Sequence, residues 1–351
     1  MIGPFDHPWL GGLFGDVDAA EIWSPQRQCT HMLAFEAAFT RAQARVGTFP
    51  QADAEKMALQ IEAFDPDMAD LRAQTNRDGV VVPALVAQLK RSVGGDAASV
   101  HTGTTSQDVI DTALALTLRD FNVLLASRIE NLFAAFEGLS ERFGARTLMG
   151  RTRMQAALPI TVDDRLLTWS HPLENHRTRL ENLRPTVERL QLGGAAGDRA
   201  ALAPHAAAIS ASMANALGLA NPPKAWHTMR DGIADYASLL SLISGSLGKF
   251  GQDICLMAQQ GIDEVTLEGG GGSSAMPHKH NPVLAELLIT LARFNATQLS
   301  GIHHALVHEQ ERSGAAWALE WMILPQMAQA TARSLAAATE ICGKLTSIGS
   351  N

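Results

Sequence analysis

The amino-acid sequence predicts an all-α protein, an elongated bundle of long helices. Three observations lead there. Aromatic residues make up 5% of the 351 positions, with one Tyr, while Ala and Leu recur throughout; sheets favour aromatic and β-branched side chains, helices favour Ala and Leu. Apolar residues return at three- and four-residue steps over stretches much longer than an average helix. Turn and cap chemistry, such as Asp65-Pro66, Asn76-Arg77-Asp78-Gly79 and Gly94-Gly95, falls between these stretches rather than within them.

Taken in order, the first predicted helix starts at Ser24 with Pro25 in its first turn and runs to Gly47, carrying Met32, Phe35, Phe39, Ala42 and Val46 on one face. Shorter helices are predicted near 51–63, 66–75 and 80–93, giving an N-terminal helical domain over residues 1–100. Residues 101–351 form the predicted central domain. Its first helix opens at Ser106 and carries Ile110, Leu114, Leu118, Phe121, Leu125, Ile129, Leu132, Phe136, Leu139 and Phe143, a stripe about ten turns long. A second opens at Thr161, where Asp164 completes a capping-box pattern, and continues through Leu166, Trp169, Leu173 and Leu180 towards Leu190, with Pro172 and Pro185 as kink positions. A third spans about 229–260, and a final pair covers about 282–304 and 316–346. The third is apolar on more than one side, which predicts that other copies of the chain cover what one copy exposes.

Composition excludes several classes. A chain that is 46% hydrophobic and 18% charged, with mean hydropathy near zero, buries a large core and is neither disordered nor a disulfide-stapled module. The net charge of −8 disfavours nucleic acid as the main partner. Cys29, Cys255 and Cys342 are odd in number and lack CxxC spacing, as buried reduced thiols do. No basic-then-apolar leader and no apolar run of membrane-spanning length is read, so a cytoplasmic location is expected.

Three polar segments between the long helices have no mechanical reason to be what they are: His101–Asp108 (HTGTTSQD), Gly150–Gln155 (GRTRMQ) and Gly269–Pro282 (GGGGSSAMPHKHNP). In the third, glycines free the backbone while two serines, a lysine and an asparagine crowd in just before a Pro-initiated helix. Such a loop can wrap an anion, and a carbanion next to a carboxylate is an aci-carboxylate dianion that calls for a cation and N–H donors. A phosphate-binding P-loop is a poor match, because Lys279 is followed by His280 rather than Ser or Thr.

Gly272–Pro282 resembles the GSSxMPxKxNP signature of the fumarase/aspartase superfamily. His101–Asp108 resembles that superfamily's first conserved region in its adenylosuccinate-lyase-like form, and Gly150–Gln155 resembles its GRTHxQ region; the likeness runs over nearly the whole chain from about residue 20. Within the superfamily the sequence is most similar to the 3-carboxy-cis,cis-muconate cycloisomerases, on the Met-Pro-His-Lys form of the loop, on His308–Trp317 (HEQERSGAAW) with Glu320-Trp321, and on position 153. Adenylosuccinate and argininosuccinate lyases have a histidine there, a general acid for a nitrogen leaving group; this chain has Arg153, a poor proton shuttle and a good carboxylate clamp. In lactone formation the nucleophile is the substrate's own carboxylate, which also departs unprotonated in reverse, so loss of the histidine is tolerable.

The resemblance implies Ser273 as the residue that moves the proton at carbon and Lys279 as the cation that stabilises the dianion, with His101, Thr105, Ser106, Thr152, Arg153, Gln155, Asn281 and Arg312 around the polycarboxylate substrate. It implies no cofactor and no metal. It also implies a homotetramer whose sites each draw on three chains, bringing segments 101–108, 150–155 and 269–282 together. His101 has two readings, a substrate contact and a cap satisfied at the helix start. His278 and His280 add positive potential only. His304, His308 and Glu311 share a face if one helix runs through them, which raises a metal site against the plainer reading of a polar helix face. Trp317 and Trp321 read as core or pocket wall, and Arg27 as an exposed helix charge. The rival functions are an adenylosuccinate-lyase-like C–N lyase and a non-catalytic helical oligomer. Many superfamily members continue into a small C-terminal helical domain; this sequence stops at Asn351 after its last predicted helix, with two readings, a domain naturally lacking or a truncated chain.

Overall fold

The computed structural model describes residues 3–94, 99–269, 271, 272, 276 and 280–350. Two short helices precede the first predicted one: α1 (Gly11–Phe14) and α2 (Val17–Ile22), the latter capped by Asp16, whose carboxylate accepts from Ala19 N at 3.0 Å. At four and six residues they are too short to show a helical period. The helix predicted from Ser24 is α3 (Pro25–Arg45), with the Ser24 hydroxyl accepting from Arg27 N and with Met32, Phe35, Phe39 and Ala42 buried. It is followed by α4 (Gln51–Glu62), α5 (Met68–Asp78) and α6 (Val82–Val93).

The long helices follow as read. α7 spans Ser106–Phe143, 38 residues, or about 57 Å at 1.5 Å per residue. Leu118, Phe121, Leu125, Ile129, Leu132, Phe136, Leu139 and Phe143 are all buried along it. α8 (Val162–Val187) opens on the reciprocal Thr161–Asp164 capping box and contains both prolines. Next come α9 (Ala206–Leu217), α10 (Asp231–Met257), α11 (Val283–His304) and α12 (Ala315–Lys344). α7, α8, α10, α11 and α12 pack side by side around one large apolar core. α10 and α11 approach closely because α10 presents glycines: a Cβ at Gly251 would stand 2.5 Å from the Ala285 carbonyl oxygen. A second core joins α3, α4 and α6 to the first turns of α7, to Leu190 and Leu192, and to α9.

Two antiparallel ribbons interrupt the helical reading. β1 (Thr147–Thr152) pairs with β2 (Gln155–Thr161), and β3 (Val265–Leu267) with β4 (Leu345–Ile348). Neither carries an alternating apolar face: β2 is exposed along almost its whole length, so nothing in its pattern announces a strand. α9 was missed as well, although Ile209, Met213 and Leu217 recur at four-residue steps; the stripe is short and lies in an Ala-rich run. Among the described residues no helix is long and apolar enough to cross a membrane. The three cysteines are unpaired, and burial pushes the thiols of Cys29 and Cys255 up to about 11 and that of Cys342 up to about 12.

Candidate active site

The predicted site residues fall at two ends of the bundle. At the α7 N-terminus, Thr105 and Asp108 form a capping box, with Thr105 N donating to Asp108 Oδ2 at 3.1 Å. The fully buried Asp108 carboxylate also accepts from Gly193 N and Gly194 N, both at 2.8 Å, and from His227 Nε2 at 2.9 Å. One side chain thus caps the helix and ties the 193–194 turn to it. Gly194 is required there: its φ is +70°, and a Cβ would meet the Gly103 carbonyl oxygen at 2.9 Å.

One turn further on, Asp111 accepts from Arg230 Nη1 (2.8 Å), Trp317 Nε1 (3.0 Å), Gln107 Nε2 (3.1 Å) and Gln191 Nε2 (3.1 Å). Arg230 also pairs with Glu320, its Nε 2.8 Å from Oε1. All three charged side chains are at most 2% exposed. Burial works against the Arg230 charge, but the Asp111 and Glu320 carboxylates overcome it and hold its pKa above the ordinary value. Burial pushes the Glu320 carboxyl up, against the pull of Arg230. The triad reaches the surface through Gln107, whose Oε1 accepts from Arg312 Nε at 3.0 Å while its Nε2 donates to Asp111 and to the His227 carbonyl. Arg312 Nη2 adds donation to the Ala195 carbonyl at 3.2 Å, so an exposed guanidinium is held from below with N–H groups to spare for an anion. His101 lies at the same end, its Nδ1 2.7 Å from Glu36 Oε1. Ser106, the first residue of α7, is half-buried there.

At the other end, β1 and β2 form a hairpin with Thr152 opposite Gln155. Arg153 and Met154 are its two turn residues, with φ of +49° and +67°, the signature of a type I′ turn. Thr152, Arg153 and Gln155 are all exposed. The hairpin base is held by the Thr147–Ser350 bridge, and nearer the turn Arg151 pairs with Glu264. Asn281 sits at this end too, its backbone exchanging two 3.0 Å hydrogen bonds with Gly271 just before α11. A six-residue hairpin reaches about 20 Å, and the helix between the ends is about 57 Å long, so one chain does not bring Arg153 to Arg312. Ser273 and Lys279, with His278, lie outside the described residues.

The stripe of His304, His308 and Glu311 does not form. α11 ends at His304, and the chain turns at Ala305, so the three do not share a helix face. His308 is instead buried beside the triad, 3.9 Å from Glu320 Oε1, and burial lowers its pKa. Among the described residues no cluster of three or more His, Cys, Asp or Glu side chains is arranged to hold a metal. Trp317 is buried on Asp111, and Trp321 stacks edge-on against it at 4.7 Å. Arg27 pairs with Glu21 on the surface. Sequence reasoning gave no role to Gln107, Asp111, Arg230, Glu320 or Glu36, although Gln107 and Glu320 lie in segments it singled out. A signal was present: Asp108 and Asp111 flank Val109 and Ile110 at the start of a long apolar stripe, and carboxylates buried there need buried partners.

A family model described as lyase matches residues 18–296. The chain belongs to the fumarase/aspartase lyase superfamily. This superfamily member is 39% identical over 314 residues to the 3-carboxy-cis,cis-muconate cycloisomerase of Pseudomonas aeruginosa, a match over 87% of this chain and 68% of that protein. It is 35% identical over 332 residues to the cycloisomerase of the same name from Acinetobacter baylyi, over 92% of this chain and 74% of that one. Its fold superimposes on the crystal structure of 3-carboxy-cis,cis-muconate lactonizing enzyme from Pseudomonas putida with a TM-score of 0.89 and 35% identity, covering 97% of this chain and 77% of the other.

Proposed function

We propose that this lyase-superfamily chain is a 3-carboxy-cis,cis-muconate cycloisomerase, closing its tricarboxylate substrate to a carboxymuconolactone in protocatechuate (β-ketoadipate pathway) breakdown. The observation that carries the reading is the likeness, over 87–92% of the chain, to relatives with that activity. The chemistry of the residues agrees with it. Arg153 and Arg312 are permanent cations suited to holding carboxylates. With Thr105, Ser106, Thr152, Gln155 and His101 they hold the substrate so that one carboxylate oxygen faces the conjugated double bond.

In that pose the C–O bond forms as the π pair moves towards the carbon conjugated with a second carboxylate, giving an aci-carboxylate dianion. Lys279 and Asn281 stabilise the dianion, and the carbon then takes a proton from Ser273, which is replenished from solvent; in reverse, Ser273 is the base. A serine alkoxide is costly at neutral pH, and the neighbouring Lys279 charge lowers that cost.

The two-ended layout supports a homotetramer, with the hairpin of one copy completing the α7 end of another. Exposed Met154 and Leu158 on that hairpin, each 73% exposed, fit burial against a second copy.

The test is loss of ultraviolet absorbance when the chain meets 3-carboxy-cis,cis-muconate. Turnover that disappears in Ser273→Ala, with the fold intact, supports the reading. Release of AMP from adenylosuccinate instead would favour the C–N lyase, and inactivity on both would favour a helical scaffold. Co-refolding Arg153→Ala with Arg312→Ala chains should restore part of the activity if sites are shared; no recovery counts against it.

A further inference from the structure

His101 is built into more than a helix start. Its φ is +61°, a left-handed conformation that a non-glycine residue keeps only where its surroundings over-determine it. Its Nδ1 lies 2.7 Å from Glu36 Oε1 and 3.0 Å from Thr104 Oγ1. The Thr104 hydroxyl donates to the His101 carbonyl at 3.2 Å, which leaves its oxygen as an acceptor towards Nδ1. Two acceptors at one ring nitrogen put a proton on it.

Glu36 comes from the middle of α3, between Phe35 and Ala37, which are both fully buried. Its side chain is 1% exposed, and Oε2 has no hydrogen-bond partner among the described residues. An apolar residue would fill this core position without the cost of burying a carboxylate. The His101 ring, by contrast, is 17% exposed, whereas the His227 and His308 side chains at the same end are 4% and 1% exposed. The turn that carries His101 packs through Gly103 against Gly194, and the Gly194 and Ala195 carbonyls flank Arg312. An imidazole and a guanidinium therefore border one patch of surface.

We propose that Glu36 is a positioning residue for the reaction assigned above. It holds His101 so that Nε2, on the ring edge away from Glu36, donates to a substrate carboxylate beside Arg312. The inference rests on that functional reading. The carboxylate conjugated with the reacting double bond carries one negative charge in the substrate and two in the aci intermediate, so a donor at Nε2 binds it more strongly as the reaction advances. Nδ1 already carries a proton, so Nε2 donates in the doubly protonated ring, whose positive charge Glu36 balances; the ring transfers no proton to carbon. An interaction of this kind appears in kcat rather than in KM.

The experiment is a double-mutant cycle in the full chain with Glu36→Gln, which keeps shape and an acceptor but removes the charge, and His101→Gln. Glu36→Gln should lower kcat by at least about tenfold, with KM within about threefold and the thermal midpoint unchanged. The double variant should lose no more than His101→Gln alone, because the first residue acts through the second. A kcat for Glu36→Gln within about twofold of the parent, or losses that multiply in the double variant, would overturn the proposal. If the parent chain does not turn over 3-carboxy-cis,cis-muconate, the functional reading fails separately. The pair is then judged from a crystal structure with propane-1,2,3-tricarboxylate: a carboxylate on His101 Nε2 sustains it, and a ligand elsewhere, or none bound, refutes it.

Discussion

The two ends of the bundle are built on opposite principles. At the α7 N-terminus, Asp108, Asp111, Arg230 and Glu320 are sealed from solvent and satisfied by one another, by Gln107 and Gln191, and by the 193–194 backbone. At the hairpin, Thr152, Arg153 and Gln155 stand in solvent at and beside a two-residue turn, with no partner element over them among the described residues. The buried network of the first end is complete within one chain, and through Gln107 it fixes the exposed Arg312. The second stands in solvent, and in the proposed homotetramer it would meet a neighbouring copy. The sealed charges of Asp108, Asp111, Arg230 and Glu320 should therefore matter to folding, and the exposed Arg153 only to chemistry.

The largest expected effect breaks the first end. Arg230→Met leaves Asp111 and Glu320 buried without a counter-charge, and urea unfolding should show a loss of about 3–5 kcal/mol. If the loss is below about 1 kcal/mol, the triad is not what holds this end. The mirror experiment is Arg153→Ala. Unfolding should be unchanged to within about 0.5 kcal/mol, because the side chain is exposed, while turnover of 3-carboxy-cis,cis-muconate falls by about 100-fold. A variant that unfolds easily, or that turns over normally, would erase the contrast.

Between the two ends, His176 on α8 tests how far buried polarity reaches. Arg179 Nη1 donates to its Nδ1 at 3.0 Å, and its Nε2 donates to Ser246 Oγ at 2.9 Å, which describes a neutral ring. Burial, with Arg179 nearby, lowers its pKa from 6.5 to about 4. A histidine depressed in the folded state stabilises fully above its unfolded pKa and loses that contribution as pH falls from about 6.5 through about 4. The thermal midpoint of His176→Gln should therefore drop less between pH 7 and pH 4.5 than that of the parent; an equal drop would place the acid sensitivity elsewhere. The smallest effect belongs to the hairpin end, where Thr161→Ala removes the cap that starts α8 and should cost about 1 kcal/mol in the same unfolding assay.

These expectations draw on a sequence whose legibility was uneven for physical reasons. Ser24, Thr161 and the α7 stripe were readable because a cap and a period are local: each is decided within a few residues of chain. The β1–β2 hairpin was not, since β2 is exposed along almost its whole length and leaves no alternation to find. His304, His308 and Glu311 kept a helical spacing although the helix stops at His304, which spacing alone does not reveal. The site's polar segments stood out as chemistry without mechanical purpose, while Glu36 and Arg230 looked like ordinary charges on helix-forming stretches.

Linear information determined where the long helices run and begin, and it singled out three polar segments between them, because propensity, capping and side-chain charge act over one or two turns. Only the tertiary structure decided that Glu36 meets His101, that Arg230 closes a triad with Asp111 and Glu320, and that Arg153 and Arg312 stand at opposite ends of a helix about 57 Å long. Those outcomes depend on how rigid helices lie against one another, and partners 65 to 119 residues apart in the chain leave no local mark of their meeting.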